Sequence, residues 1–182
     1  MPLLNFRVHR LRWLASLAAF VAGSVGGAEP AQQREVQAVF VLNLTRFIRW
    51  PESAFSSADA PLTIGVLPKE PVGALLAVAT RGEMAGRHPI VIREIHSDAD
   101  LDGCHLVFLD KLESAVAAQM LTALRTKPIL TVGEADGFLR VGGHVQFFNR
   151  GGQVKLRLEL RNLSRSDLTP SAQLLRVAEL VQ

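Results

Sequence analysis

The chain reads as an α/β domain: a layered sandwich with a mixed, mostly parallel sheet of about six strands, a C-terminal antiparallel hairpin and a terminal helix. Three observations predict this. Short runs around residues 62–67, 105–109 and 129–132 are apolar along their whole length, the composition of strands buried on both faces. Segments with helical spacing of apolar residues alternate with them, the order in which parallel sheets are built. The style then changes: over residues 153–160, Val154, Leu156, Leu158 and Leu160 fall on one face and Lys155, Arg157 and Glu159 on the other. That alternation predicts a hairpin with one wet face, entered from residues 145–149 through Arg150-Gly151-Gly152.

Residues 1–28 have the layout of an export signal. Arg7, Arg10 and Arg12 are followed by an apolar stretch and then Gly26-Gly27-Ala28. The apolar run is about 13 to 15 residues, short of the roughly 20 a membrane anchor needs. Cleavage after Ala28 leaves residues 29–182 as a single domain, large enough for a proper core. It also changes the charge. The whole chain has 20 basic and 17 acidic residues; three arginines leave with the signal, so the remainder carries 17 of each. The high isoelectric point therefore gives no support for nucleic-acid binding.

A first helix is predicted over residues 32–49. Val36, Val39, Phe40, Val41, Asn43, Leu44, Phe47, Ile48 and Trp50 share one arc, and Arg34, Glu35, Thr45, Arg46 and Arg49 the other side. The arc is about 200° wide, where packing on one sheet face needs about 100°. The excess calls for a second covering surface, another helix or a second subunit. Phe47 reads as core, with about 3 kcal/mol or more lost on truncation to Ala. Asn43, inside the arc, is expected to hydrogen-bond a neighbouring backbone, and Pro51 to end the helix.

After a polar stretch, residues 62–67 form a strand, 71–80 a small-residue helix, and 88–95 and 105–109 two more strands. Asp110 and Glu113 read as the capping box of a helix whose core stripe is Leu112, Val116, Met120 and Leu124. Residues 129–132 supply another strand. The terminal helix is expected to start with Thr169 as N-cap and Pro170 at its first position, with Leu174, Leu175, Val177, Ala178 and Val181 as its apolar side.

No catalytic constellation emerges. The five histidines lack metal-ligand spacing, and neither a nucleophile elbow nor a phosphate loop occurs. Gly133-Glu134-Ala135-Asp136-Gly137 reads as a plain turn. Asp98, Asp100 and Asp102 alternate like the first ligands of a calcium loop, but no glutamate closes it, so they read as a solvated turn. Gly142-Gly143-His144 reads as a tight strand entry. The single cysteine, Cys104, excludes an intrachain disulfide and is expected to be buried. No metal or cofactor is called for. Aromatics and arginines are the usual anchors of protein interfaces, which singles out Arg46, Phe47, Arg49, Trp50, Phe55, Phe138 and Phe147 as candidate partner contacts. Arg46, His144 and Arg150 are candidates for holding an anion.

The ordered pieces "VQAVFVLNLTRFIRWP", "LTIGVL", "CHLVFL", "ILTVGEADGFLRVGGHVQFF", "VKLRLELRN" and "SAQLLRVAELV" resemble the YfiR-like periplasmic regulators over nearly all of residues 29–182. The positions matching that pattern are Asn43, Phe47, Trp50, Pro51, Cys104, Asp136, Phe138, Gly142, Gly143 and Asn162. The resemblance implies a small α/β domain that dimerises. It implies binding to the periplasmic sensor domain of an inner-membrane diguanylate cyclase, which is held inactive. It also implies an outer-membrane lipoprotein that draws the regulator away, raising cyclic-di-GMP and favouring biofilm. Well-known members carry several cysteines and use disulfides; a single Cys104 departs from that. The reading is thus a non-enzymatic regulator, against the alternatives of a module sensing an anionic or aromatic small molecule and of an enzyme of unrecognised type.

Overall fold

A computed structural model describes residues 30–110 and 114–181. The export signal, Glu113 of the expected capping box and Leu112 of the expected core stripe lie outside the described residues. Helix α1 spans Pro30–Phe47 and runs into β1, Ile48–Arg49. Next come β2 (Leu62–Val66), α2 (Pro71–Ala79), β3 (Met84–Ala85), β4 (His88–Glu94), β5 (Leu106–Phe108), α3 (Ser114–Leu124) and β6 (Leu130–Gly133). The hairpin is β7 (Val145–Arg150) and β8 (Gln153–Glu159), followed by α4 (Leu160–Arg165), β9 (Thr169–Pro170), α5 (Ala172–Val177) and β10 (Glu179–Val181).

The main sheet has the order β10-β8-β7-β6-β5-β2-β4-β3. Pairings among β4, β2, β5, β6 and β7 are parallel, β7 and β8 are antiparallel, and β10 returns parallel to β8. The fold class is the expected one. The two strands beyond the expected six are the short β3 and β10 at the edges, which lack the length to leave an apolar pattern. At the hairpin turn Gly151 and Gly152 both have positive φ (61° and 78°), as a two-residue loop matching the strand twist requires.

Two cores flank the sheet. One joins Val41 and Leu44 of α1 and Leu76 of α2 to Ile64, Phe108, Val132, Phe147 and Leu158. The other joins Leu121 and Leu124 of α3 to Ile95, Leu101, Cys104, Val107, Ile129 and Phe138. α3 buries Ala117, Leu121 and Leu124, whereas Val116, expected in its core stripe, is exposed. The buried stripe is centred one residue further along, a rotation of about 100°.

The Gly-Phe…Gly-Gly motif of residues 137–143 serves this second core. A Cβ on Gly143 would sit 2.2 Å from the Phe138 ring, and one on Gly133 2.7 Å from it. The two glycines form the slot into which Phe138 folds, and Gly142, at φ 114°, turns the chain there. Asn162 closes the segment by donating to the carbonyls of Leu139 (3.0 Å) and Gly143 (2.8 Å).

Three expectations near chain turns are corrected. α1 ends at Phe47, two residues early, because Ile48 and Arg49 pair antiparallel with Pro170 and Thr169. Residues 169–170 are therefore a strand; Ser171 is the N-cap of α5, accepting from the Leu174 amide at 3.2 Å. α5 is only six residues long, leaving Val177 exposed before the chain re-enters the sheet as β10.

Candidate functional site

The C-terminal end of α1, the β1–β9 ribbon, β4 and the segment of residues 51–61 enclose an open cleft of about 360 Å³. Arg46, Phe47, Arg49, Trp50 and Phe55 all line it, with Ala85, Gly86, His88, Thr169, Pro170 and Ser171. Five of the seven candidate partner contacts thus converge in space. Pro51 turns the chain so that Trp50 folds inward. Its indole N–H donates to the His105 carbonyl at 3.0 Å, and only its edge reaches the cleft. Phe55 lies between two imidazoles, stacked on His88 at 3.8 Å and on His105 at 4.3 Å between ring centres. Arg46 is paired with Glu83. Arg49 is exposed and makes no hydrogen bond or ion pair through its side chain among the described residues, so it is the cation open to a partner.

The other two candidates are corrected. Phe138 and Phe147 are 2% and 1% exposed and pack in the two opposite cores, so neither can touch a partner without unfolding. Phe47 is half-buried against the core rather than inside it. The three proposed anion ligands are likewise not brought together. His144 is 1% exposed. Its Nδ1 accepts from the Thr131 amide at 3.0 Å, and its Nε2–H donates to Ser166 Oγ at 3.0 Å, whose hydroxyl donates to the Arg125 carbonyl. Burial pushes this imidazole down to about 4. His144 is a neutral structural tie. Arg150 lies on the wet face of the hairpin with Arg157 and Glu179, where both guanidinium groups sit over the Phe148 ring.

Two other expectations concern α1. Its buried face is Gln37, Ala38, Val41, Leu44 and Thr45, continued by Ile48 of β1. Thr45, assigned to the polar side, is inside and donates to the Leu42 carbonyl at 2.6 Å. Relative to the predicted arc the buried face is rotated, so Val36, Phe40, Asn43 and Phe47 are half-buried and Val39 is 55% exposed. Asn43 makes no side-chain hydrogen bond among the described residues, against the expectation that it would tie the helix to a backbone. The helix is pinned instead at its start, where Arg34 donates to Gln37 and Asp110 at 3.0 Å and to Glu134 at 3.2 Å.

Cys104 is buried, its thiol 3.3 Å from the Asp100 carbonyl, and burial raises it above the usual thiol range. The acidic turn closes on itself: Asp100 accepts from the amides of His96 (3.0 Å) and Ser97 (2.9 Å) and from the Ser97 hydroxyl, which hold its carboxyl below the usual range. Among the described residues, no three His, Cys, Asp or Glu side chains are grouped to hold a metal ion, and no helix is long and apolar enough to cross a membrane.

Sequence reasoning missed His88 and residues 169–171 as cleft walls. They reach α1 only through tertiary pairing and carry no local signal.

The fold is an α/β domain with an open aromatic and cationic cleft at one end of α1. The YfiR/HmsC-like family profile matches residues 34–179, and the chain belongs to that family. No curated protein matches it. A solved structure, the crystal structure of a conserved domain protein from Vibrio cholerae O1 biovar eltor str. N16961, is similar at 12% identity and a TM-score of 0.48. That similarity covers 66% of this chain and 54% of the other, so the chain spans about half the length of the structure it matches.

Proposed function

We propose that this chain is a periplasmic regulator, not an enzyme, that binds the periplasmic sensor domain of an inner-membrane diguanylate cyclase and holds it inactive. Residues 1–28 are then an export signal and residues 29–182 the working domain, acting as a homodimer and released by an outer-membrane lipoprotein. Family membership supports a regulator of this kind. The observation that carries the surface assignment is the convergence of exposed Arg49 and half-buried Phe47 and Phe55 on the cleft at the end of α1, with exposed Val39 two turns earlier on the same helix. A partner needs both parts of such a surface, apolar area for affinity and a cation for orientation.

The test is capture of the purified chain by the periplasmic segment of a membrane diguanylate cyclase encoded beside it. Arg49→Glu and Val39→Asp, both at exposed positions, are expected to weaken binding at least tenfold with the melting temperature unchanged. Undiminished binding by both variants would overturn the surface assignment; no capture at all would overturn the partner.

A second reading is favoured by the cleft itself. Its volume of about 360 Å³ lies within the range of small-molecule sites. An anionic or aromatic molecule held by Arg46 and Arg49 would raise the melting temperature in proportion to the logarithm of its concentration. Loss of that shift in Arg49→Glu would assign it to the cleft.

A further inference from the structure

The segment of residues 51–61, which lends Phe55 to the cleft wall, is fastened in place by rings. The Nε2–H of His105 donates to the Ala54 carbonyl at 3.1 Å, while its Nδ1 accepts from the Thr63 amide at 3.1 Å. Those two bonds specify one neutral tautomer, with the proton on Nε2. At the far end of the segment, His88 Nδ1–H donates to the Ala60 carbonyl at 2.7 Å. Between them Phe55 fills the gap from one imidazole face to the other, with interplanar angles of 11° and 21°. Trp50 anchors the near end through the His105 carbonyl.

The two histidines differ in what a proton does to them. His88 donates through Nδ1 whether charged or neutral, so its bond survives protonation. His105 cannot keep both of its bonds: a proton on Nδ1 would face the Thr63 N–H, donor against donor. It would also place a buried cation near Arg93 and, across the Phe55 ring, near His88; both oppose its charging. No carboxylate compensates. Glu52 and Asp59 on the segment are solvent-exposed and make no hydrogen bond to the ring among the described residues, and Glu83 is engaged with Arg46. Arg46 and Arg49, on the cleft wall, carry the same sign as the incoming proton. The ring must therefore swing out to be protonated, releasing Ala54 and one face of Phe55. Of the β2 amides only that of Thr63 rests on the ring; the His105 amide donates to the Thr63 carbonyl at 2.8 Å, and Ile64–Val66 pair with Leu106–Phe108 through the backbone.

We propose that residues 51–61 are a proton-released latch on one wall of the cleft: protonation of His105 frees Phe55 and widens the cleft at the α1 end. This rests on reading the cleft as the regulatory surface, whose occupancy would then depend on the acidity of the compartment. Burial holds His105 below its ordinary range, so the closed form persists at neutral pH and weakens progressively as pH falls below about 6.5, the value the freed ring regains.

The experiment uses the full chain with Trp13→Phe, which leaves Trp50 as the sole tryptophan. Hydrogen exchange of peptides covering residues 51–61, corrected for intrinsic rates, is followed from pH 7.5 to 5 together with Trp50 emission and the NMR titration of the His105 ring. Protection of the segment is expected to fall at least tenfold, with the Trp50 change tracking the His105 titration, while residues 64–66 and 106–108 keep theirs. His105→Gln should remove the pH dependence. Constant protection from pH 7.5 to 5, a Trp50 transition that does not follow His105, or simultaneous loss in residues 64–66 and 106–108 would each overturn the latch. Partner capture is not used, so a failed latch and a failed partner assignment remain distinguishable.

Discussion

Acidification should weaken the fold through His144, and the amount follows from its surroundings. The imidazole is buried, with both nitrogens committed as a neutral ring, and titrates near 4 when folded against an ordinary value of 6.5. The folded value is depressed for a group that charges on protonation, so the unfolded chain binds the proton first. Stability is therefore full above about pH 6.5 and is lost as pH falls toward 4. The separation between the two values corresponds to about 3 kcal/mol when fully developed, and to about 2 kcal/mol between pH 7 and pH 5. Most carboxylates stay ionised in that interval. His105 contributes in the same direction, and its contribution is separated by running His105→Gln in parallel. Urea unfolding at the two pH values should show a midpoint about 1 M lower at pH 5, for a slope near 2 kcal/mol/M. The His144 ring resonances should not move above pH 5. A ring that titrates near 6.5 in the folded protein, or equal midpoints at both pH values, would refute the buried neutral network.

Further outcomes follow from packing. Gly143→Ala places a methyl group into the Phe138 ring and should cost about 3 kcal/mol, seen as a large drop in melting temperature. Asn162→Ala strips the donor from two carbonyls that pin the 137–143 segment, and should cost about 2 kcal/mol in urea unfolding. Phe47→Ala should cost about 1.5 kcal/mol, half the value expected of a fully buried ring, because one side of Phe47 is uncovered. Cys104 should resist a thiol reagent in the native state and react fully in urea; rapid native labelling would contradict its burial.

Much of this protein was determined by local pattern. The continuous apolar runs of β2, β5 and β6 needed only burial on both faces to become the centre of a parallel sheet. The alternation of β8 needed only one wet face. The aromatic and cationic residues around Trp50-Pro51 were legible as a surface because charge and ring area are unusual beside so apolar a helix. Tertiary structure decided the rest. Two-residue strands such as β1, β3 and β9 have no periodicity to read; they exist because distant segments meet. The rotation of α1 depended on which of its apolar residues the sheet could cover, and that turned Val39 outward and Thr45 inward. The fates of Phe138, Phe147 and His144 depended on partners far along the chain: a glycine slot, a second core and a Thr131–Ser166 clasp. A residue's type sets what its burial would cost or contribute, but only the packed neighbours decide whether water is excluded from it, and exposure to water separates a binding surface from a core.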